Sequence, residues 1–128
     1  MTFTTSKARQ AFTDIDPREF VTLNDPPLLI DVRSQLEYQT GHVPGAVNLS
    51  LPRLLLGSIP MLRSLVWPEW FRDIEKDRTV AVICLSAHRS PIAADYLAKQ
   101  GFDRVWNLIG GMLEWKRLGL ETRSGKQP

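Results

Sequence analysis

The stretch Thr79-Val80-Ala81-Val82-Ile83-Cys84-Leu85-Ser86-Ala87-His88-Arg89-Ser90-Pro91-Ile92 decides the fold. It begins with a strand-forming run free of charge, the pattern of a strand buried on both faces of a parallel sheet. A polar loop follows, and Pro91 opens a helical pattern that reaches Gln100 and stops at Gly101. Strand, loop and helix in that order predict one βα unit. Its loop lies at the carboxyl end of the strand, where open α/β sheets hold their ligands. Cys84, the single cysteine of the chain, stands at that junction.

The same alternation extends outward. Residues 28–32, 46–49 and 104–108 read as further strands, the first a continuous apolar run. Asp16 and Pro17 look like the cap and first position of a short helix through residue 23. Ser34-x-x-Glu37 reads as a capping box, which puts a structural role for Glu37 ahead of a catalytic one. Residues 41–45 form a turn-rich loop, and residues 112–118 a last short helix stopped at Gly119. The pattern predicts an α/β fold with a central, mostly parallel sheet flanked by helices. Residues 12–121 form that domain, after an N-terminal extension over 1–11 and before a polar, disordered tail over 122–128.

Residues 51–71 are unusually apolar, with Leu54, Leu55, Leu56, Ile59, Met61, Leu62, Leu65, Val66, Trp67, Trp70 and Phe71 among them. Arg53, Gly57, Pro60, Arg63 and Pro68 interrupt the run, so it is not a membrane span, which needs ~20 largely apolar residues. Leu55, Ile59, Leu62 and Val66 recur at helical spacing, with Ser58 as cap and Pro68 as stop, and predict a core-facing helix. An apolar surface over Leu54 to Phe71, used for self-association, for a partner or at the membrane surface, is the competing expectation.

Sixteen Lys and Arg against fourteen Asp and Glu leave a net charge of +2 in 128 residues, too balanced for a nucleic-acid binder. One cysteine forms no internal disulfide and suits a reducing compartment. The first residues lack the long apolar stretch of a signal peptide, and the expected location is the cytoplasm. Two histidines and one cysteine so far apart make no tetrahedral ligand set, so neither a metal nor a cofactor is expected.

The thiol itself has two readings. Free cysteine is among the most buried residue types and often inert. A nucleophile needs its thiolate, and stabilising that anion at neutral pH takes roughly 2 to 3 kcal/mol. A helix N-terminus supplies ~0.3 to 1 kcal/mol and at best ~2, so loop N–H groups or Arg89 would have to add the rest.

Cys84-x-x-x-x-Arg89-Ser90 comes after Leu29-Ile30-Asp31-Val32-Arg33 and Gly41-His42-Val43-Pro44-Gly45-Ala46-Val47-Asn48-Leu49. It comes before Val105-Trp106-Asn107-Leu108-Ile109-Gly110-Gly111 and Trp115. Together these resemble the single-domain rhodanese family over roughly residues 12–120. The resemblance implies a three-layer fold and sulfur transfer. Cys84 would take the outer sulfur of thiosulfate or a related sulfane-sulfur donor, expel sulfite, and carry the atom as a persulfide to a thiophilic acceptor. That acceptor would be cyanide or a thiol, such as thioredoxin or glutathione. The substrate-binding loop would be Leu85, Ser86, Ala87, His88, Arg89 and Ser90, its N–H groups cradling the persulfide. Arg89 would orient an anionic donor or merely pair with Asp31 or another carboxylate. Asp31 and Arg33 would brace the loop, His42 would be a hydrogen-bonded structural histidine, and His88 an exposed residue.

Ala87 departs from the family, whose loop most often has glycine there. Alanine at a positive φ would cost about 1 kcal/mol or more and either reshape the loop or alter its donor preference. Two rivals remain. A related phosphatase or arsenate reductase needs five residues between cysteine and arginine, and here there are four. A non-catalytic binding module of the same fold typically lacks the cysteine, which this chain keeps.

Overall fold

The computed structural model describes residues 11–128. Five parallel strands, β1 (Thr13–Ile15), β2 (Leu28–Asp31), β3 (Val47–Asn48), β4 (Val80–Ile83) and β5 (Val105–Leu108), form one sheet in the order β1-β5-β4-β2-β3. β4 therefore lies in the middle, and all four of its residues are buried. The expected α/β architecture with a parallel central sheet is present. β1 has no counterpart in the sequence expectation: three residues, two of them exposed, carry too little pattern to read, and pairing with β5 makes them a strand.

Side chains on each strand alternate between two cores. Ile30, Val32, Val80, Val82, Cys84 and Val105 belong to one, covered by α6 (Ser90–Lys99) through Ala93, Ala94 and Leu97. Leu29, Ala81, Ile83 and Leu108 belong to the other, with Phe20 of α1 (Pro17–Phe20), Tyr38 of α2 (Gln35–Thr40), and Met112 and Trp115 of α7 (Gly111–Arg117). The expected caps form. Asp16 accepts the Arg18 N–H at 2.8 Å, and Ser34 and Glu37 exchange the two bonds of a capping box. α6 ends ahead of Gly101, whose φ of +103° breaks the helix.

Residues 51–71 correct the expectation of one core-facing helix. They fold as α3 (Leu51–Leu56), α4 (Pro60–Val66) and α5 (Glu69–Arg72). α4 is preceded by Ile59 rather than capped by Ser58, and Leu55 and Ile59 are exposed while Leu51, Leu54, Trp67 and Phe71 are buried. The cause is a fold-back at Gly57. The Trp67 indole lies against that glycine and donates to the Leu54 carbonyl at 2.9 Å. A Cβ at Gly57 would fall 2.0 Å from the ring. Trp67 then meets Phe71 edge to face, with centroids 5.0 Å apart. No helix among the described residues is long and apolar enough to cross a membrane.

Residues 122–128, expected to be a disordered tail, run beside α2. Arg123 and His42 exchange backbone hydrogen bonds at 2.8 and 2.9 Å, and the Gly125 N–H donates to the Gln39 carbonyl.

Candidate active site

Cys84 follows the last residue of β4, on the face covered by α6, and is 1% exposed. Its Sγ is 3.4 Å from the Oγ of Ser90, the first residue of α6 and itself fully buried. The loop between them closes over the sulfur end of the strand. None of the backbone N–H groups of residues 85–90 reaches a protein acceptor among the described residues, so all six remain as donors.

The loop is held from behind by α7. The first N–H groups of a helix have no partner within it. Those of Met112 and Leu113 donate to the carbonyls of Cys84 (2.8 Å) and Leu85 (3.0 Å). In a trans peptide the N–H points opposite to the C=O. Anchoring these two carbonyls to α7 therefore turns the N–H groups of Leu85 and Ser86 away from it. Such close approach requires Gly111, which has a φ of +60°, because a Cβ there would lie 2.5 Å from the Cys84 carbonyl oxygen. The sequence carried a signal for this brace in the paired glycines ahead of an apolar helix, and it went unread.

Arg89 pairs with Glu37. Its guanidinium donates to both carboxylate oxygens, at 2.7 and 3.0 Å, across to α2. Glu37 simultaneously accepts the Ser34 N–H at 3.0 Å. These hydrogen bonds, Arg89 foremost, pull the Glu37 carboxyl down to about 2 from its ordinary 4.5. Arg89 is held above its usual value, chiefly by Glu37, with smaller contributions from Cys84 and Asp31. Arginine thus meets a carboxylate as one reading expected, and the carboxylate is Glu37, whose leading role in the sequence is helix capping.

Asp31 and Arg33 are buried, but they do not brace the Cys84 loop through hydrogen bonds. Arg33 donates to both Asp31 oxygens, at 3.0 Å from Nε and 2.7 Å from Nη2, and from Nη2 to the Gly41 carbonyl at 2.8 Å. The alternation along β2 explains the difference. Asp31 shares the face of Leu29, opposite the core to which Cys84 belongs. What the pair fixes is the turn at Gly41.

His42 is fully buried and stacked on Tyr38, with ring centroids 3.7 Å apart. Nδ1 and Nε2 each lie 2.8 Å from a backbone carbonyl oxygen, of Tyr38 and Gln127. Both ring nitrogens are thus engaged by the backbone. His88 is exposed and only meets the Ser86 hydroxyl, at 3.2 Å. Ala87 corrects an expectation. No residue other than glycine has a positive φ among the described residues, so the backbone strain expected of alanine there is absent.

Comparison with known proteins agrees with this geometry. Residues 16–118 match the rhodanese-like domain family. A sulfurtransferase of Allochromatium vinosum is 42% identical over 93 residues, covering 73% of this chain and 75% of its own. A rhodanese-related protein of Thermoplasma volcanium superposes with a TM-score of 0.69 at 22% identity, covering 88% of this chain and 98% of its own. The polysulfide-sulfur transferase homodimer of Wolinella succinogenes gives 0.67 at 24%, covering 95% and 85%. With its cysteine beneath a four-residue spacer to arginine at the end of the central strand, the chain belongs to the rhodanese-like domain family.

Proposed function

We propose that the protein transfers a sulfane sulfur through a persulfide on Cys84. The Cys84 thiolate attacks the outer sulfur of thiosulfate or a related donor. The new Sγ–S bond forms as the donor's S–S bond breaks, and the leaving group, sulfite for thiosulfate, departs with the electron pair. A thiolate or cyanide acceptor then attacks the outer sulfur, and Cys84 leaves as thiolate. The observation that carries this reading is the set of six loop N–H groups, at residues 85–90, without protein acceptors beside a buried thiol. Donors fixed in place before the reaction stabilise an anion without reorganisation. Ser90 and the loop are the binding residues, and Asp31, Arg33 and His42 support the fold around them.

At 1% exposure Cys84 admits only a donor that can insert a terminal sulfur. Small inorganic or organic persulfidic donors fit that limit, with glutathione or thioredoxin as acceptors. A lone thiol of this kind fits a reducing compartment such as the cytoplasm.

Intact mass after incubation of the reduced protein with thiosulfate, beside a Cys84→Ser control, tests the reading. Gain of one sulfur by the wild type alone is expected. No gain from thiosulfate, glutathione persulfide or polysulfide would overturn it in favour of a binding module.

One surface feature favours an additional role in self-association. Leu55, Leu56, Ile59, Met61 and Leu65 are all exposed on α3, α4 and the link between them, with Met61 at 87% and Leu65 at 75%. Apolar residues clustered this way mark interaction surfaces. Sedimentation should show a dimer that Met61→Glu with Leu65→Glu dissociates. A monomer at every concentration would dismiss it.

A further inference from the structure

Arg89 is the only arginine or lysine in residues 84–92, and its charge is already matched. Both of its hydrogen bonds to Glu37 are short, and bidentate pairing of this kind is among the stronger surface geometries. Glu37 does not depend on Arg89 for its position. It belongs to the capping box of α2, where Oε1 accepts the Ser34 N–H at 3.0 Å and the Glu37 N–H meets Ser34 Oγ at 3.2 Å. Of the other basic side chains on neighbouring elements, Arg53 and Lys126 line the cleft beside Gln35 and Asn48. Arg33 is buried against Asp31, and His88 points into solvent against Ser86. Once Cys84 ionises, the group formed by Arg89, Glu37 and the sulfur is net negative. A dianionic donor must then approach an anionic site, or draw Arg89 off a carboxylate that stays fixed behind it.

We propose that Glu37 is a specificity-determining positioning residue: by holding and neutralising Arg89 it turns the Cys84 site against dianionic oxyanion donors and toward donors of lower charge, such as an organic persulfide. The inference rests on the sulfurtransferase reading and deepens it. The loop N–H groups serve every donor, because each delivers the same sulfur to the same atom. Charge on the departing group is what differs between donors. Sulfite leaves thiosulfate with both of its charges on the group that was bonded to the transferred sulfur, whereas the thiolate that leaves an organic persulfide carries a single charge there.

The test is single-turnover loading of Cys84, followed by intact mass across concentration series of thiosulfate and of glutathione persulfide. It compares the wild type with Glu37→Gln, Glu37→Asp and Ser34→Ala. Glutamine can still accept the Ser34 N–H, so Glu37→Gln removes the charge and keeps the cap. The expected result is a shift of about tenfold in donor preference toward thiosulfate in Glu37→Gln, or about 1.4 kcal/mol. That shift should reside in the half-saturating thiosulfate concentration rather than in the rate at saturation. Glu37→Asp keeps the charge and should lie nearer the wild type, and Ser34→Ala should leave the preference in place. Equal change for both donors in Glu37→Gln, weaker use of thiosulfate, or the same shift in Ser34→Ala would overturn the proposal. A wild type that loads from neither donor would overturn the sulfurtransferase reading as well, and so separates the two failures.

Discussion

The Met112 N–H donates to the Cys84 carbonyl at 2.8 Å, so the helix after β5 holds the peptide that begins the loop after β4. The backbone of Cys84 is thereby set by a residue 28 positions away, and the contact exists because Gly111 presents no side chain. Two glycines, at 110 and 111, adopt positive φ in succession to bring α7 in at that angle.

Gly111→Ala should therefore be costly in two ways. The left-handed backbone costs alanine about 1 to 2 kcal/mol, and the added methyl would sit 2.5 Å from a backbone oxygen that cannot move without displacing Cys84. We expect a loss of at least about 2 kcal/mol in urea unfolding, together with slower sulfur loading by the folded fraction. Gly125→Ala supplies the comparison, since its φ of +97° carries a similar backbone penalty with nothing within 4 Å. Equal losses in the two variants would refute the close-approach account.

Asp31 and Arg33 offer a test in which stability and activity separate. They form a buried pair, with side chains 0% and 2% exposed, and removing one partner strands the other as an unpaired charge. Arg33→Met should destabilise the protein by about 3 to 5 kcal/mol, and Asp31→Asn together with Arg33→Met should recover part of that loss. Their face of the sheet is not that of Cys84, so sulfur loading per folded molecule should stay within about threefold of wild type. A loading defect larger than that in a folded double variant would return these residues to the active-site loop.

How far the sequence revealed these relationships depended on whether the signal was local. The apolar run ending at Cys84, the capping box at Ser34 and Glu37, and Gly101 beyond α6 are short-range patterns, and each is found where expected. Contacts formed only on folding were missed. β1 depends on β5, and the fold-back of Trp67 onto Gly57 cancels the helical spacing of Leu55, Ile59, Leu62 and Val66. Glu37 shows the limit most clearly. Its local role was legible three residues from Ser34, whereas its partner Arg89 lies 52 residues on.

The Glu37 and Arg89 pair also predicts a pH dependence. The Glu37 carboxyl is lowered to about 2 in the folded chain from an ordinary 4.5. A depressed carboxyl contributes stability that is complete above the unfolded value and fades as pH falls from 4.5 toward 2. The stability difference between wild type and Glu37→Gln should thus be flat from about pH 5 to 8 and shrink on acidification. The effect is small, because each side chain is about a third exposed and solvent screens the pair. A difference that varied between pH 5 and 8 would point to another titrating group.

Ser90 gives the sharpest separation of a packing role from a chemical one. Its hydroxyl is fully buried, 3.4 Å from Cys84 Sγ, and a thiol is a weak hydrogen-bonding partner. Ser90→Ala consequently removes little from the resting protein, and its unfolding free energy should fall by no more than about 1 kcal/mol. The balance changes once the sulfur carries charge, since a hydroxyl can then turn and donate to the anion. Hydrogen bonds to charged groups contribute roughly 1.5 to 3 kcal/mol, and sulfur lies at the weak end of that range. Sulfur loading at saturating donor should slow by about tenfold, with Cys84→Ser as the zero. Loading at the wild-type rate would identify Ser90 as a helix-start residue that packs beside the nucleophile without serving it.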